Sequence, residues 1–169
     1  MSTLKVQEIQ HTGGTTAQTI DSSGRILTPA RPAFRAYDAS GADHIELTHN
    51  QVNTLPFDTT DFNIGSHYNT STYRFTAPIT GLYYFYLQAY QAKEGAVRYI
   101  YIRKNGSTVA LSQGASDTNN DVTNVCSVML QLTSSDYVTP HIYHSADTAF
   151  SFYSSSSGTY SFFMGYLIG

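Results

Sequence analysis

The stretch 81–91 reads Gly-Leu-Tyr-Tyr-Phe-Tyr-Leu-Gln-Ala-Tyr-Gln, eleven residues with five aromatic rings and no charge. Aromatic residues at this density favour a pleated strand. Alternate residues of a strand face opposite ways, so Leu82, Tyr84 and Tyr86 occupy one face and Tyr83, Phe85 and Leu87 the other. Both faces are apolar or aromatic. A two-layer sandwich covers one of them; the second is either covered by a further copy of the chain or left as a tyrosine-rich solvated face, which the phenol groups permit.

The C-terminal run repeats the pattern, with Phe163 and Leu167 on one side and Phe162, Met164, Tyr166 and Ile168 on the other. The run 124–133 differs. There Cys126, Val128, Leu130 and Leu132 share a face while Ser127 and Gln131 lie opposite, as in a strand with one dry and one wetter side. Charged residues make up only 12% of the chain, against about 25% in an average domain. The sequence carries 14 Tyr and 9 Phe, and Ser with Thr fill 40 of the 169 positions, so good helix formers are scarce. An all-β fold is expected.

Strand-like runs recur at 33–38, 45–47, 73–76, 81–91, 97–103, 108–112, 124–133, 137–144, 149–153 and 160–168, the spacing of a sandwich or barrel. Asn105-Gly106 predicts a tight hairpin, because a type I′ turn needs positive φ at both central residues. Thr28-Pro29-Ala30-Arg31-Pro32 marks a boundary, dividing the chain into a segment of residues 1–29 and a head of residues 30–169. The first segment has no aromatic residue. Its apolar positions, Leu4, Val6, Ile9, Ile20 and Ile26 with Leu27, are separated by polar stretches, and it reads either as an extended arm, with a turn at Asp21-Ser22-Ser23-Gly24 before a short strand, or as a disordered terminus.

A net charge of −3 with scattered basic residues argues against a nucleic-acid groove. The lone Cys126 excludes an intrachain disulfide and reads as a buried small hydrophobe. No run approaches the roughly 20 apolar residues of a membrane helix, so no membrane insertion is expected; the opening residues lack the apolar centre of a secretory signal, and a role outside a cell would need another exit route, such as lysis.

Hydrolase, dinucleotide and phosphate-loop motifs are missing. His141 and His144 are three apart in a strand and point to opposite faces, and Asp58 and Asp61 read as loop caps, so the expectation is a non-enzymatic protein. Asp117, Asn119 and Asp121 place oxygen side chains at alternate positions, as the start of a calcium loop would. Val122 and Val128 stand where such a loop needs Gly and an acidic ligand. A calcium-binding helix-loop-helix is excluded and a looser calcium site is left open; no other cofactor is expected.

The sequence 75–85, Phe-Thr-Ala-Pro-Ile-Thr-Gly-Leu-Tyr-Tyr-Phe, resembles the central signature of the globular heads of complement C1q, a jelly roll shared with tumour necrosis factor. Arg31-Pro32-Ala33-Phe34, Phe62-Asn63 and Tyr68 lie upstream in matching order. Ile102 to Gly106, Val128 to Leu132, Asp136, Val138 and Phe163 to Leu167 follow downstream. Arg74 departs from the pattern, standing where the family often has Gly, and Ser135 replaces Gly before Asp136. The resemblance implies a jelly-roll β-sandwich of about ten strands assembling as a homotrimer, with aromatic strands packed about the threefold axis. No collagen repeat precedes the head, so complement or hormone function is not implied.

The lead-in is similar to that of virion appendage proteins of tailed phages, cyanophages especially. Together these resemblances imply a structural virion protein, assembled in the host cytoplasm: a tail fibre or appendage, or alternatively a capsid decoration or cement protein. The expected subunit-contact residues are Tyr84, Tyr86, Phe163 and Tyr166, with the face meeting the axis unassigned. Leu4, Val6, Ile9, Ile20 and Ile26 are expected to dock on other virion proteins. Loops carrying Asp117, Asn119, Asp121 and Ser156 are expected to contact a host-surface glycan or protein.

Overall fold

The computed structural model describes residues 5–40, 45–91, 97–114, 121–145 and 150–169. Every regular element among them is a strand. Near the N-terminus, β1 (Glu8–Gln10), β2 (Thr16–Ile20) and β3 (Ile26–Leu27) form a three-stranded antiparallel sheet in that order. The expected turn at 21–24 is present: the Asp21 carboxylate accepts the Ser23 and Arg25 amides at 2.9 and 3.0 Å and Arg25 Nε at 2.7 Å. Gly14 and Gly24, at φ 84° and 80°, permit the two reversals. The short strand expected after that turn is β3, and with a further reversal at 11–15 the segment forms a small meander.

The head is a sandwich of two sheets. Its strands are β4 (Ala33–Tyr37), β5 (Ile45–Leu47), β6 (Val52–Thr54), β7 (Thr59–Ile64), β8 (Tyr68–Asn69), β9 (Arg74–Thr76) and β10 (Gly81–Gln91), then β11 (Arg98–Lys104), β12 (Ser107–Gly114), β13 (Val122–Leu132), β14 (Tyr137–His144), β15 (Phe150–Phe152) and β16 (Phe162–Leu167). In the first sheet β10 is central, paired along its whole length with β13 on one side and with β16 on the other; β4 and β7 follow β16, while β15 and β5 extend from the end of β10. The second sheet runs β12-β11-β14-β9-β8, with β6 also on β14. This is the expected jelly roll. All ten expected strands are present, joined by β6, β7 and β8, whose polar residues show no apolar alternation.

Asn105 and Gly106 take φ of 49° and 82°, and the hairpin they close pairs β11 with β12. Asn105 Nδ2 donates to Asp136 Oδ1 at 2.7 Å and its Oδ1 accepts the Tyr137 amide at 2.9 Å, tying the turn to β14. The Asp136 carboxylate also meets Lys104 Nζ at 2.9 Å and the Thr133 amide at 2.8 Å, and these partners hold it well below the usual carboxylate range. Asn63 closes the 63–68 turn on both sides, donating to the Tyr68 carbonyl at 2.8 Å and accepting its amide at 3.1 Å.

Between the sheets, Phe34, Tyr68, Phe75, Tyr83, Phe85 and Phe163 are buried together. Phe34 lies 4.8 Å from Tyr68, 5.1 Å from Phe75 and 5.2 Å from Phe163, centroid to centroid. Such contacts each contribute about 0.5–1.5 kcal/mol beyond area burial. The cluster depends on Gly165. Its register partners are Phe85 on β10 and Phe34 on β4, and a Cβ at 165 would come within 2.6 Å of Phe85 Cδ1 and 3.0 Å of Phe34 Cε1.

Candidate functional site

With one parity of β10 committed to the core, the other looks outward from the first sheet. Register carries the outward residues across neighbouring strands in rows. One row is Met129, Tyr84, Tyr166 and Ala33; the next is Ser127, Tyr86, Met164 and Arg35; a third is Val125, Gln88, Phe162 and Tyr37. Tyr84 and Tyr166 have centroids 5.6 Å apart. Phe162 lies between Tyr86, stacked at 5.6 Å, and the Arg35 guanidinium, 4.3 Å above the ring. Asp61 neutralises Arg35, whose Nη2 also donates to the Gly158 carbonyl at 2.6 Å.

The rings are thus fixed by one another and by a compensated cation. Met129 is 64% exposed and Tyr166 44%, with Val125 beside them also open to solvent. A sheet face this apolar is more often a contact surface than a solvated one. Burial raises the Tyr86 hydroxyl above its ordinary value, with the neighbouring Tyr84 adding to the effect.

Tyr84, Tyr86 and Tyr166 therefore share the outward face expected for a subunit contact. Phe163 does not. It is fully buried, turned inward by its odd position in β16, and stacks on Phe85 at 5.9 Å inside a single subunit; its expected place in a subunit contact is withdrawn. Phe162, Met164, Met129 and Arg35 complete the face. Their parity was legible in each strand, but their meeting depends on a register that only the pairing supplies.

In the N-terminal meander, Ile9, Ile20 and Ile26 fall on one face, since Ile9 pairs with Gln18 and Ile20 with Ile26. Ile9 and Ile26 are exposed, as is Val6, and Ile20 is half-buried. Leu4 lies outside the described residues, as do Asp117 and Asn119. Asp121, at the entry to β13, accepts the Tyr90 hydroxyl at 3.0 Å. Ser156 is exposed on a turn closed by the Gly158 amide on the Ser155 carbonyl at 2.9 Å. Gly158 packs against Tyr37, so this turn sits beside the aromatic face and not on a remote tip.

Among the described residues, no three His, Cys, Asp or Glu side chains gather as a metal cluster. His144 is buried between the sheets while His141 looks outward, the expected division. Asp61 serves Arg35 and Asp58 accepts the Thr59 hydroxyl at 3.0 Å, so the two carboxylates have separate partners. Cys126 is buried, and its surroundings push the thiol up, away from the reactive thiolate.

The C1q domain family profile matches residues 36–168. The mouse and human proteins described as "Complement C1q tumor necrosis factor-related protein 3" are each 32% identical over 91 residues, 51% of this chain. The chain spans only 36% of the length of those relatives. Among solved structures, the globular domain of zebrafish complement 1qA superposes with a TM-score of 0.58 at 18% identity, covering 82% of this chain and 98% of that one. Murine APRIL gives 0.57 at 11% identity, covering 82% and 99%, and Eiger TNF from S. frugiperda 0.54 at 16%, covering 83% and 94%.

Proposed function

This chain belongs to the C1q domain family, and from that premise we propose that it is a non-enzymatic, homotrimeric binding head displayed on a tailed-phage virion. The first sheet's outward face is the subunit contact, the head points toward the host surface, and the N-terminal meander docks on the particle. The observation that carries this reading is the outward row of Met129, Tyr84 and Tyr166, continuous across three strands and open to solvent in one subunit. A second copy removes those rings from water without any change in the fold.

Support for the virion setting comes from the lead-in's similarity to phage appendage proteins, and from a meander that leaves Val6, Ile9 and Ile26 exposed outside the family match. Assembly in the host cytoplasm and release by lysis follow from that setting. Two measurements test the proposal. Light scattering should give three times the chain mass, and a stable monomer at micromolar concentration would overturn the trimer. Antibody labelling of virions should mark the tail; uniform signal over the shell would replace the fibre with a decoration or cement protein.

A further inference from the structure

The second sheet has its own outward face, and its cations are arranged differently. Along β14, Tyr137, Thr139, His141 and Tyr143 have the outward parity, with Thr139 itself nearly covered, and they alternate with the buried Val138, Pro140, Ile142 and His144. Across from them, β11 sets Arg103 opposite Thr139, Tyr101 opposite His141 and Tyr99 opposite Tyr143. On the other side of β14, β9 pairs Thr76 with Tyr137 and Phe75 with Val138, so Arg74 comes next along the strand, beside Thr139. Two arginines from different strands flank one threonine.

Elsewhere in the head, Arg35 and Lys104 each meet an aspartate. Arg74 and Arg103 meet rings and a hydroxyl instead, with no carboxylate among the described residues. The Arg74 guanidinium lies 4.8 Å over Tyr137, and its Nε is buried without an acceptor. Arg103 lies 5.8 Å from the Tyr101 centroid and gives its Nε to Thr108 Oγ1 at 3.4 Å. Two residues further along β14, between Tyr101 and Thr54, His141 is held by Thr139 Oγ1 at 2.9 Å and Thr54 Oγ1 at 3.4 Å. Burial, with the charge of Arg103 behind it, brings this imidazole down to about 4. The ring is neutral at pH 7, and the uncompensated charge on the face belongs to the two guanidinium groups.

Beside these cations runs a tyrosine ladder: Tyr99 is 6.1 Å from Tyr101 and 6.0 Å from Tyr143. We propose that this face binds an acidic saccharide, its carboxylate or sulfate held between Arg74 and Arg103 and its sugar rings laid against the tyrosines. Guanidinium forks match planar or tetrahedral oxyanions with paired hydrogen bonds. Phenol rings offer flat apolar surface with a polar edge, which suits the mixed faces of a sugar. An acidic peptide would use the arginines but not the ladder. A nucleic acid would need a longer row of cations than this chain of net charge −3 supplies. The inference rests on the head being a binding module and adds the chemistry of what it binds.

The test uses the full chain on immobilised heparin and alginate oligosaccharides, with dextran as neutral control and polyglutamate as acidic peptide. The expected result is binding to heparin or alginate that weakens as salt rises, and none to dextran. Arg74→Gln and Arg103→Gln should each weaken it about tenfold, the loss of one charge-assisted contact, and the double variant should abolish it. Arg31→Gln, which removes an exposed charge in the linker, should bind like the parent. Tyr101→Ala should lower saccharide binding with its melting transition retained, which separates ring contact from misfolding. Failure to bind either acidic saccharide, undiminished binding by the double variant, or equally tight capture of polyglutamate would overturn the proposal. Binding is read on the surface of one subunit, so the result holds whether light scattering finds a trimer or a monomer.

Discussion

Tyr84 of β10 and Tyr166 of β16 lie ring to ring on the outward face of the first sheet, 5.6 Å between centroids and 50° between planes. Neither ring belongs to the buried cluster between the sheets. An arginine at this pair should therefore break association without unfolding the subunit. Tyr84→Arg is expected to weaken assembly by about 2 kcal/mol or more, the scale of a central interface anchor. Leu111→Arg, at an exposed site on the opposite sheet, should leave it intact. Analytical ultracentrifugation across a dilution series distinguishes the two.

Gly165 offers a prediction about the core. Because Phe85 and Phe34 close over it from both sides, Gly165→Ala has no room to relax without displacing an aromatic ring. The expected cost is about 1–3 kcal/mol, the range for overpacking. Denaturant unfolding with an unchanged slope and a lower midpoint would show it.

The hairpin separates backbone from side-chain effects. Asn105→Gly keeps the positive φ that the turn demands but loses the bonds to Asp136 and Tyr137, while Asn105→Ala loses both advantages. Both variants should melt below the parent, with Ala below Gly by about 1 kcal/mol, since αL geometry costs a side chain with a Cβ about that much. Equal melting of the two variants would count against strain at this turn.

His141 sets a pH dependence. Its pKa in the fold is about 4, below the ordinary value of 6.5, so the unfolded chain takes up the proton first. The stability that the neutral ring secures is whole above about 6.5 and is lost progressively as pH falls toward 4. Replacing it with an uncharged amide, His141→Gln, should remove this part of the acid sensitivity. Thermal melts of parent and variant should run parallel above pH 7 and converge, or cross, as the pH falls from 6.5 to 4.

Much of the jelly roll was legible because strand parity is a local property. The run 81–91 announced two apolar faces, and Asn105-Gly106 announced its turn from chemistry alone. The short strands Val52–Thr54, Thr59–Ile64 and Tyr68–Asn69 were not legible, since edge positions with half-wet faces impose no alternation on Thr, Asp and Asn. The aromatic face was half legible. Tyr84, Tyr86 and Tyr166 were named from composition and parity, but Phe163 was grouped with them because one strand alone does not say which parity meets the opposite sheet. The Arg74 and Arg103 pair was hidden altogether: 29 positions separate them in the chain, and only their shared neighbour Thr139 brings them to one place.

Gly165 also bears on how β10 finds its register. In most half-buried strands a slip by one residue is forbidden because it would turn polar groups inward. A strand with aromatics on both faces lacks that safeguard, for a slipped β10 would still offer Tyr84 and Tyr86 to the interior. Shape takes over the task that hydrophobicity leaves undone. The notch at Gly165 accepts the ring of Phe85, and a second notch at Gly81, where a Cβ would stand 2.6 Å from Leu167 Cδ1, accepts the far end of the same partner strand. Two missing methyl groups thus act as keys for an eleven-residue strand, and filling either would loosen the alignment of the sheet as well as crowd its core.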